Sequence, residues 1–146
     1  MFEVTETIII DRSPTDVFNF LTNGQNRPLW DSSVVFEEPT SPPPVGPGST
    51  MRTVMRVMGR EVEFEWRVAR LERPTLMAIV STSGPMATSF ALAFGTVNGS
   101  CEVTAGMRAE PTGMMRLVEP VIQEAVRGNL SAGLARAKAV LEASTD

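Results

Sequence analysis

Along residues 2–10 the apolar side chains of Phe2, Val4, Ile8 and Ile10 fall on alternate positions, with Glu6 interrupting the row. That is the period of a half-buried strand. The run "DRSPTDVFNFLTNG" changes period. Ser13 is placed to cap a helix, Pro14 suits its first position and Asp16 falls in its first turn; Val17, Phe18 and Leu21 then share a face before Asn23-Gly24 stops it. "NRPLWDSSV" predicts a further helical turn capped by Asn26, which sets Trp30 just before a strand from Val34 to Phe36. Residues 37–49, "EEPTSPPPVGPGS", carry too much Pro and Gly for a regular element and read as a loop.

Two hairpins follow. In "MRTVMRVMGREVEFEWRV" a turn at Met58-Gly59 pairs Val57 with Arg60, so that Met55 faces Val62, Thr53 faces Phe64 and Met51 faces Trp66 on one apolar side. The other side sets Arg56 against Glu61 and Arg52 against Glu65, cross-strand pairs of opposite charge that support an antiparallel ladder. "ERPT" breaks the chain, and "LMAIVSTSG" resumes it as a strand whose pattern does not choose a face. The second hairpin turns on Asn98-Gly99, the strongest short-range hairpin signal. Its register aligns Thr96 with Cys101, Phe94 with Val103, Leu92 with Ala105 and Phe90 with Met107 on one side, leaving Ala91, Ala93 and Gly95 on the other. From Met114 to about Glu142 the spacing predicts one long amphipathic helix, with Leu117, Val118, Val121, Ile122, Ala125, Leu130, Leu134, Ala137 and Leu141 on a broad stripe and Pro120 as a kink or restart.

An antiparallel sheet with one apolar face must cover that face, and only the terminal helix is long enough to do so. The predicted fold is α+β: a curved antiparallel sheet of about seven strands wrapped around a long C-terminal helix, with two short helices after the first strand, in a single domain over residues 1–146. Nine Met, Met55, Met86 and Met107 among them, are flexible side chains suited to irregular walls. They fit a gap-filled core as well as a cavity.

Composition narrows the chemistry. The chain has no His and no Tyr, which removes the usual neutral-pH base, the usual nitrogen metal ligand and any Ser-His-Asp or Cys-His site. Cys101 is the single cysteine, so no disulfide framework or thiolate metal cluster is expected, and a zinc site would need carboxylates alone. The net charge of -4, with basic residues scattered, gives no electrostatic footprint for nucleic acid. No stretch has the roughly 20 apolar residues of a membrane span. The reading is a soluble, cytoplasmic protein that makes no stable membrane insertion and needs no cofactor, since "GPGS" lacks the strand-to-helix setting of a phosphate loop. The oligomeric state is open, a homodimer included.

The order of "ETIIIDRSPTDVFNFLTNGQNRPLWD", a Pro/Gly loop ending "GPGSTMR", then "VMGREVEFEWRVARLERP", "STSGP" and the terminal "MRLVEPVIQEAVRGNLSAGLARAKAVLE" resembles the START-related helix-grip superfamily. The nearest group is its small bacterial members, similar to polyketide cyclases and dehydrases. The resemblance spans nearly the whole chain and rests on architecture rather than on catalytic motifs. It implies a cavity between sheet and helix that binds lipids, sterols, polyketides, quinones or other apolar molecules, in an interior expected to be core at its ends and cavity in its middle.

With such a cavity, the registers point Met55, Phe64, Trp66, Phe90, Leu92, Phe94, Val103 and Met107 into it, with Val118, Ile122 and Ala125 of the helix as lid. Each is equally suited to core packing. The Trp66 indole N–H, inside an apolar wall, wants an acceptor that a ligand could supply. Trp30 matches a Trp common in the family and would sit at the entrance or seal the helix end. Arg27 and Asp31 flank it and can pair with each other. Arg60, at the turn, is a rim residue able to meet a carboxylate head group. No catalytic residue is assigned; Glu6, the one acid on the apolar face, is the candidate acid or base, and it would equally serve by reaching solvent or an Arg. The leading functional reading is a binder or carrier of an apolar small molecule. The alternatives are a polyketide cyclase or dehydratase acting mainly by positioning, and a protein-interaction module, for which an exposed apolar patch beside the Pro-rich loop would speak.

Overall fold

A computed structural model describes residues 1–143; residues 144–146 of the expected domain lie outside the described residues. The first strand, β1 (Phe2–Ile10), buries Phe2, Val4 and Ile10, as its alternation requires. Helix α1 (Pro14–Leu21) starts where Ser13 Oγ accepts from the Asp16 N–H at 3.2 Å, and it buries Val17, Phe18 and Leu21. The Asn23 side chain then caps a 3-10 turn at Gly24–Asn26 that leads into the single-turn helix α2 (Arg27–Trp30). Asn26 precedes α2 as expected, but its side chain does not cap it and donates instead to the Phe20 carbonyl at 3.2 Å.

Six more strands follow: β2 (Val34–Pro39), β3 (Thr50–Val57), β4 (Arg60–Glu72), β5 (Leu76–Ser83), β6 (Ala87–Val97) and β7 (Ser100–Glu110). β2 runs on to Pro39, three residues into the segment expected to be loop. The sheet has seven strands in the order β1-β7-β6-β5-β4-β3-β2, all antiparallel. Both hairpin registers are those read from the turns, Met55 facing Val62 and Thr53 facing Phe64 in one, Phe94 facing Val103 and Phe90 facing Met107 in the other. Arg56 reaches Glu61 at 3.6 Å. Arg52 lies opposite Glu65 but pairs diagonally with Glu63 and, at 2.9 Å, with Glu38 on β2. The strand left undecided, β5, buries Ile79 and sets it against Phe90.

Bulges between Val34 and Phe36, Glu65 and Trp66, and Val68 and Arg70 add local twist and curl the sheet. Because β1 and β2 are its two edges, the α1–α2 segment between them crosses the open side of the curl and carries Arg27 and Trp30 inside. The terminal helix occupies the hollow, which is the helix-grip arrangement. It begins as a 3-10 segment, Gly113–Val118, and becomes α-helical only at α3 (Glu119–Ala143), with Pro120 in its first turn, so Pro120 starts the helix rather than kinking it.

The buried face of α3 holds Ile122, Leu130, Leu134, Ala137 and Leu141. Leu117 and Val121, expected on that stripe, are instead 80% and 62% exposed, because the 3-10 winding and the start at Glu119 turn them away from the sheet. α3 comes close to α2 where Gly133 passes Trp30: a Cβ on Gly133 would stand 2.9 Å from the Trp30 carbonyl oxygen. The packed core lies toward the C-terminal half of α3, where Ile10, Cys101, Val103 and Leu134 are inaccessible and Phe18 meets Phe94 edge-on at 5.2 Å. The cavity therefore sits at one end of the interior, not in its middle.

The β3–β4 turn has positive φ at both residues, 52° at Met58 and 79° at Gly59, where Asn and Gly are the favoured pair. Met58 adopts this geometry without any packing return, being 66% exposed. Met58→Asn should therefore raise Tm by roughly 2–4 °C, checked by thermal denaturation; an unchanged or lower Tm would show the turn to be unstrained.

Candidate functional site

Between the inner faces of β3, β4, β6 and β7 and the first half of α3 lies a cavity of about 310 Å3. Met55, Phe64, Trp66, Phe90 and Met107 form its strand wall, and Ile122 and Ala125 its helix wall. These are neighbours in space because alternate residues of a strand share a face and the curl of the sheet turns the two hairpins, one on each side of β5, toward a common interior. Phe64 and Trp66 lie nearly parallel, their ring centroids 5.1 Å apart. Trp66 is 3% exposed and its Nε1–H has no acceptor among the described residues. An unmet buried donor in a cavity wall is costly unless something else fills its place. The mouth lies between Met58 of the β3–β4 turn and Val121 of α3, both strongly exposed.

Other expected site residues stand elsewhere. Leu92 and Trp30 border only a narrow gap of about 20 Å3 deeper in the fold, and Trp30, 1% exposed, seals α2 against α3 rather than sitting at the entrance. Its Nε1–H also lacks an acceptor. Phe94 and Val103 belong to the packed core. Val118 is 38% exposed on the 3-10 segment and lines no cavity. Arg60 is exposed at the turn, outside the cavity lining, and Glu6, opposite Ala105, is half-buried on the inner face but borders none of the cavities. Cys101 is fully buried, and burial with Glu102 beside it pushes its thiol above the ordinary range, which makes it a poor nucleophile.

The polar floor of the cavity is a charge cluster that sequence reasoning found only in part. Arg27 pairs with Asp31 one helical turn on, at 3.3 Å, and its Nη1 donates to Glu37 Oε1 of β2 at 3.1 Å. Thr53 of β3 donates to the same oxygen at 2.9 Å. The other Asp31 oxygen accepts from Ser33 N at 3.0 Å, Ser33 Oγ at 2.6 Å and Asn129 Nδ2 of α3 at 2.9 Å. Burial alone would raise the Asp31 carboxyl, but the Arg27 guanidinium and the Ser33 and Asn129 hydrogen bonds outweigh it and hold it below its ordinary value. The guanidinium also lies 5.1 Å from the Trp30 ring centroid and 5.5 Å from that of Phe90. Glu37 was hidden in the supposed loop, and the sequence carries no signal for its pairing opposite Thr53, an inward polar residue. Asn129 gave none beyond its helix position.

The family whose sequence model is described as "Polyketide cyclase / dehydrase and lipid transport" matches residues 1–142. No curated protein matches significantly. Among solved structures, TTHA0849 from Thermus thermophilus is similar with a TM-score of 0.85 and 18% identity, over 99% of this chain and 100% of that one. The Zhui aromatase/cyclase from Streptomyces sp. R1128 gives 0.77 and 15%, over 97% and 93% of the two chains. A START superfamily protein from Mycobacterium smegmatis gives 0.73 and 14%, over 97% and 94%. Identities this low speak for the fold alone.

Removing the cation of the cluster leaves two buried carboxylates unpaired, so Arg27→Met should destabilise the fold by about 3–5 kcal/mol in urea denaturation. A loss under about 1 kcal/mol would show that water reaches the cluster. Because Asp31 titrates lower when folded than its unfolded value of about 3.9, it adds stability that is full above that value and is lost as pH falls through the folded one. Asp31→Asn should therefore be less stable than the parent at pH 7, the gap narrowing below about pH 4; a gap constant with pH would refute the coupling.

Proposed function

Because the chain belongs to the polyketide cyclase/dehydrase and lipid transport family, we propose that it binds and carries one compact apolar molecule in the cavity between its sheet and α3. The observation that carries this reading is the buried, unpartnered Trp66 N–H in an otherwise apolar wall. It supports a ligand with an oxygen acceptor on an apolar body, held by apolar burial and oriented by one hydrogen bond. The cavity volume, about 310 Å3, falls at the small end of ligand pockets and suits a compact body better than a long chain. The family's range covers lipid, quinone, polyketide and terpenoid cargo alike.

Carriage is favoured over reaction by where the polar groups are engaged. Asp31, the carboxylate bordering the cavity, accepts hydrogen bonds on both oxygens and is paired with Arg27. A base so occupied has no lone pair in position to take a substrate proton. Glu6 lies outside the lining of this cavity. A positioning cyclase would therefore have to work without a free acid or base. Exposed apolar side chains gather toward the mouth, with Met58 and Val121 lining it and Leu117 and Met114 on the 3-10 segment that leads into α3. Such a lip supports loading from, or delivery to, another apolar surface.

Native mass spectrometry of freshly purified protein, followed by organic extraction, should recover one class of apolar compound. The apolar dye 1-anilinonaphthalene-8-sulfonate should bind the emptied protein with enhanced fluorescence. Ala125→Trp, which adds bulk at the mouth, should abolish dye binding without lowering Tm. Trp66→Phe should weaken an oxygen-bearing ligand by about tenfold while leaving a plain hydrocarbon unaffected. An empty protein that binds no dye would refute carriage.

A further inference from the structure

A second cavity, about 360 Å3, opens between α1 with its following 3-10 turn and the β2–β3 edge, with the Pro-rich loop as its outer wall. It is separated from the sheet–helix cavity by the narrow gap that Arg27 and Glu37 border. Its lining is mixed. Asn19, Ser41 and Ser49 stand in its walls, and Met51 and Leu71 supply an apolar patch.

The floor carries a side chain that the fold leaves unfinished. Glu37 is 7% exposed, and its Oε1 is filled by Arg27 and Thr53. Among the described residues nothing donates to its Oε2, which faces Gly24 at the cleft wall and, unlike Oε1, is open to the cleft. The charges of the cluster do not balance either: one guanidinium, Arg27, serves two carboxylates, Asp31 and Glu37. Both Asp31 oxygens are engaged, so the surplus negative charge and the open acceptor coincide at Glu37 Oε2. Buried carboxylates are ordinarily paired and hydrogen-bonded. The bare backbone of Gly24 makes the arrangement possible, since a Cβ there would stand 2.5 Å from that oxygen.

We propose that this cleft is a second ligand site, for a small primary ammonium ion whose N–H groups donate to Glu37 Oε2 while its alkyl part lies on Met51 and Leu71. The neighbouring acid Glu38 is already paired with Arg52, so Glu37 is the anchor. Arg73, on the same cleft, donates to the Val45 carbonyl at 3.3 Å and lies over the Phe18 ring. Its positive charge disfavours a second ammonium on the same ligand. The Ser41 and Ser49 oxygens accept backbone N–H groups of Thr50 and Gly46, which fixes the loop wall of the cleft. A charge-assisted bond of this kind, made in a partly desolvated cleft, is stronger than its counterpart in water.

The test is an amide-resolved NMR titration of the full chain with propylammonium chloride, using sodium chloride at equal ionic strength and sodium propionate as controls. Saturable shifts at Gly24, Asn23 and Ser49 with propylammonium alone are expected. Glu37→Gln keeps an Oε1 acceptor for Arg27 and Thr53 but replaces Oε2 by a donor, and should weaken binding by about tenfold or more. Asn19→Trp, at an exposed position on the rim, should block the cleft while leaving the ion cluster untouched. Absence of shifts, equal shifts with sodium chloride, or unchanged affinity in a folded Glu37→Gln would overturn the proposal. Should Glu37→Gln fail to fold, unchanged affinity in Asn19→Trp would overturn it alone. Occupancy of the sheet–helix cavity does not enter the result.

Discussion

A guanidinium held away from water needs carboxylates around it, and Arg27 obtains them from separate elements: Asp31 at the end of α2 and Glu37 in β2. Thr53 of β3 and Asn129 of α3 complete the shell. Each of these groups is tolerable in the interior only because the others are there, so the cluster fixes the relative positions of α2, the β2–β3 edge and α3. It also stands where an apolar side chain would otherwise fill the grip. The hollow is therefore divided into the sheet–helix chamber on one side of the cluster and the outer cleft, of mixed lining, on the other. Burying this network costs more than an apolar plug would. What it provides is a partition with defined hydrogen-bonding directions.

Most of the fold was legible because local signals specify it. Met58-Gly59 and Asn98-Gly99 each fixed a turn, a turn fixed a register, and the register placed every side chain of four strands on one face or the other. The same reasoning brought Met55, Phe64, Trp66, Phe90 and Met107 to one wall. It overreached at Phe94 and Val118. Strand parity says which face a residue is on, but not how far along that face the helix stays in contact. The 3-10 start of the terminal helix, set by Pro120, decides that distance, and it turned Val118, Leu117 and Val121 outward.

The charge cluster was less legible for a different reason. Its members lie on α2, β2, β3 and α3, and the β2–β3 connection is a long Pro-rich loop with no turn signal to set the pairing. The bulge between Val34 and Phe36 shifts the register besides, so that Glu37, which an unbroken alternation would have left unassigned, arrives opposite Thr53. Solved structures at 14–18% identity share the layers of this fold. Layers are held by apolar periodicity, which many sequences satisfy; a cluster of this kind depends on particular residues at particular places.

The thioether lining has a consequence in redox terms. Met58 stands exposed at the mouth, whereas Met55, Met86 and Met107 lie along the chamber beyond it. Oxidation to the sulfoxide turns a flexible apolar side chain into a polar one. Were the chamber filled, an oxidant would reach Met58 first, and the occupant would cover the inner sulfurs. In an emptied chamber the inner sulfurs lose that cover, and their oxidation would line the wall with acceptors and wet it. A cargo of this chamber would in that sense be the antioxidant of its own binding site.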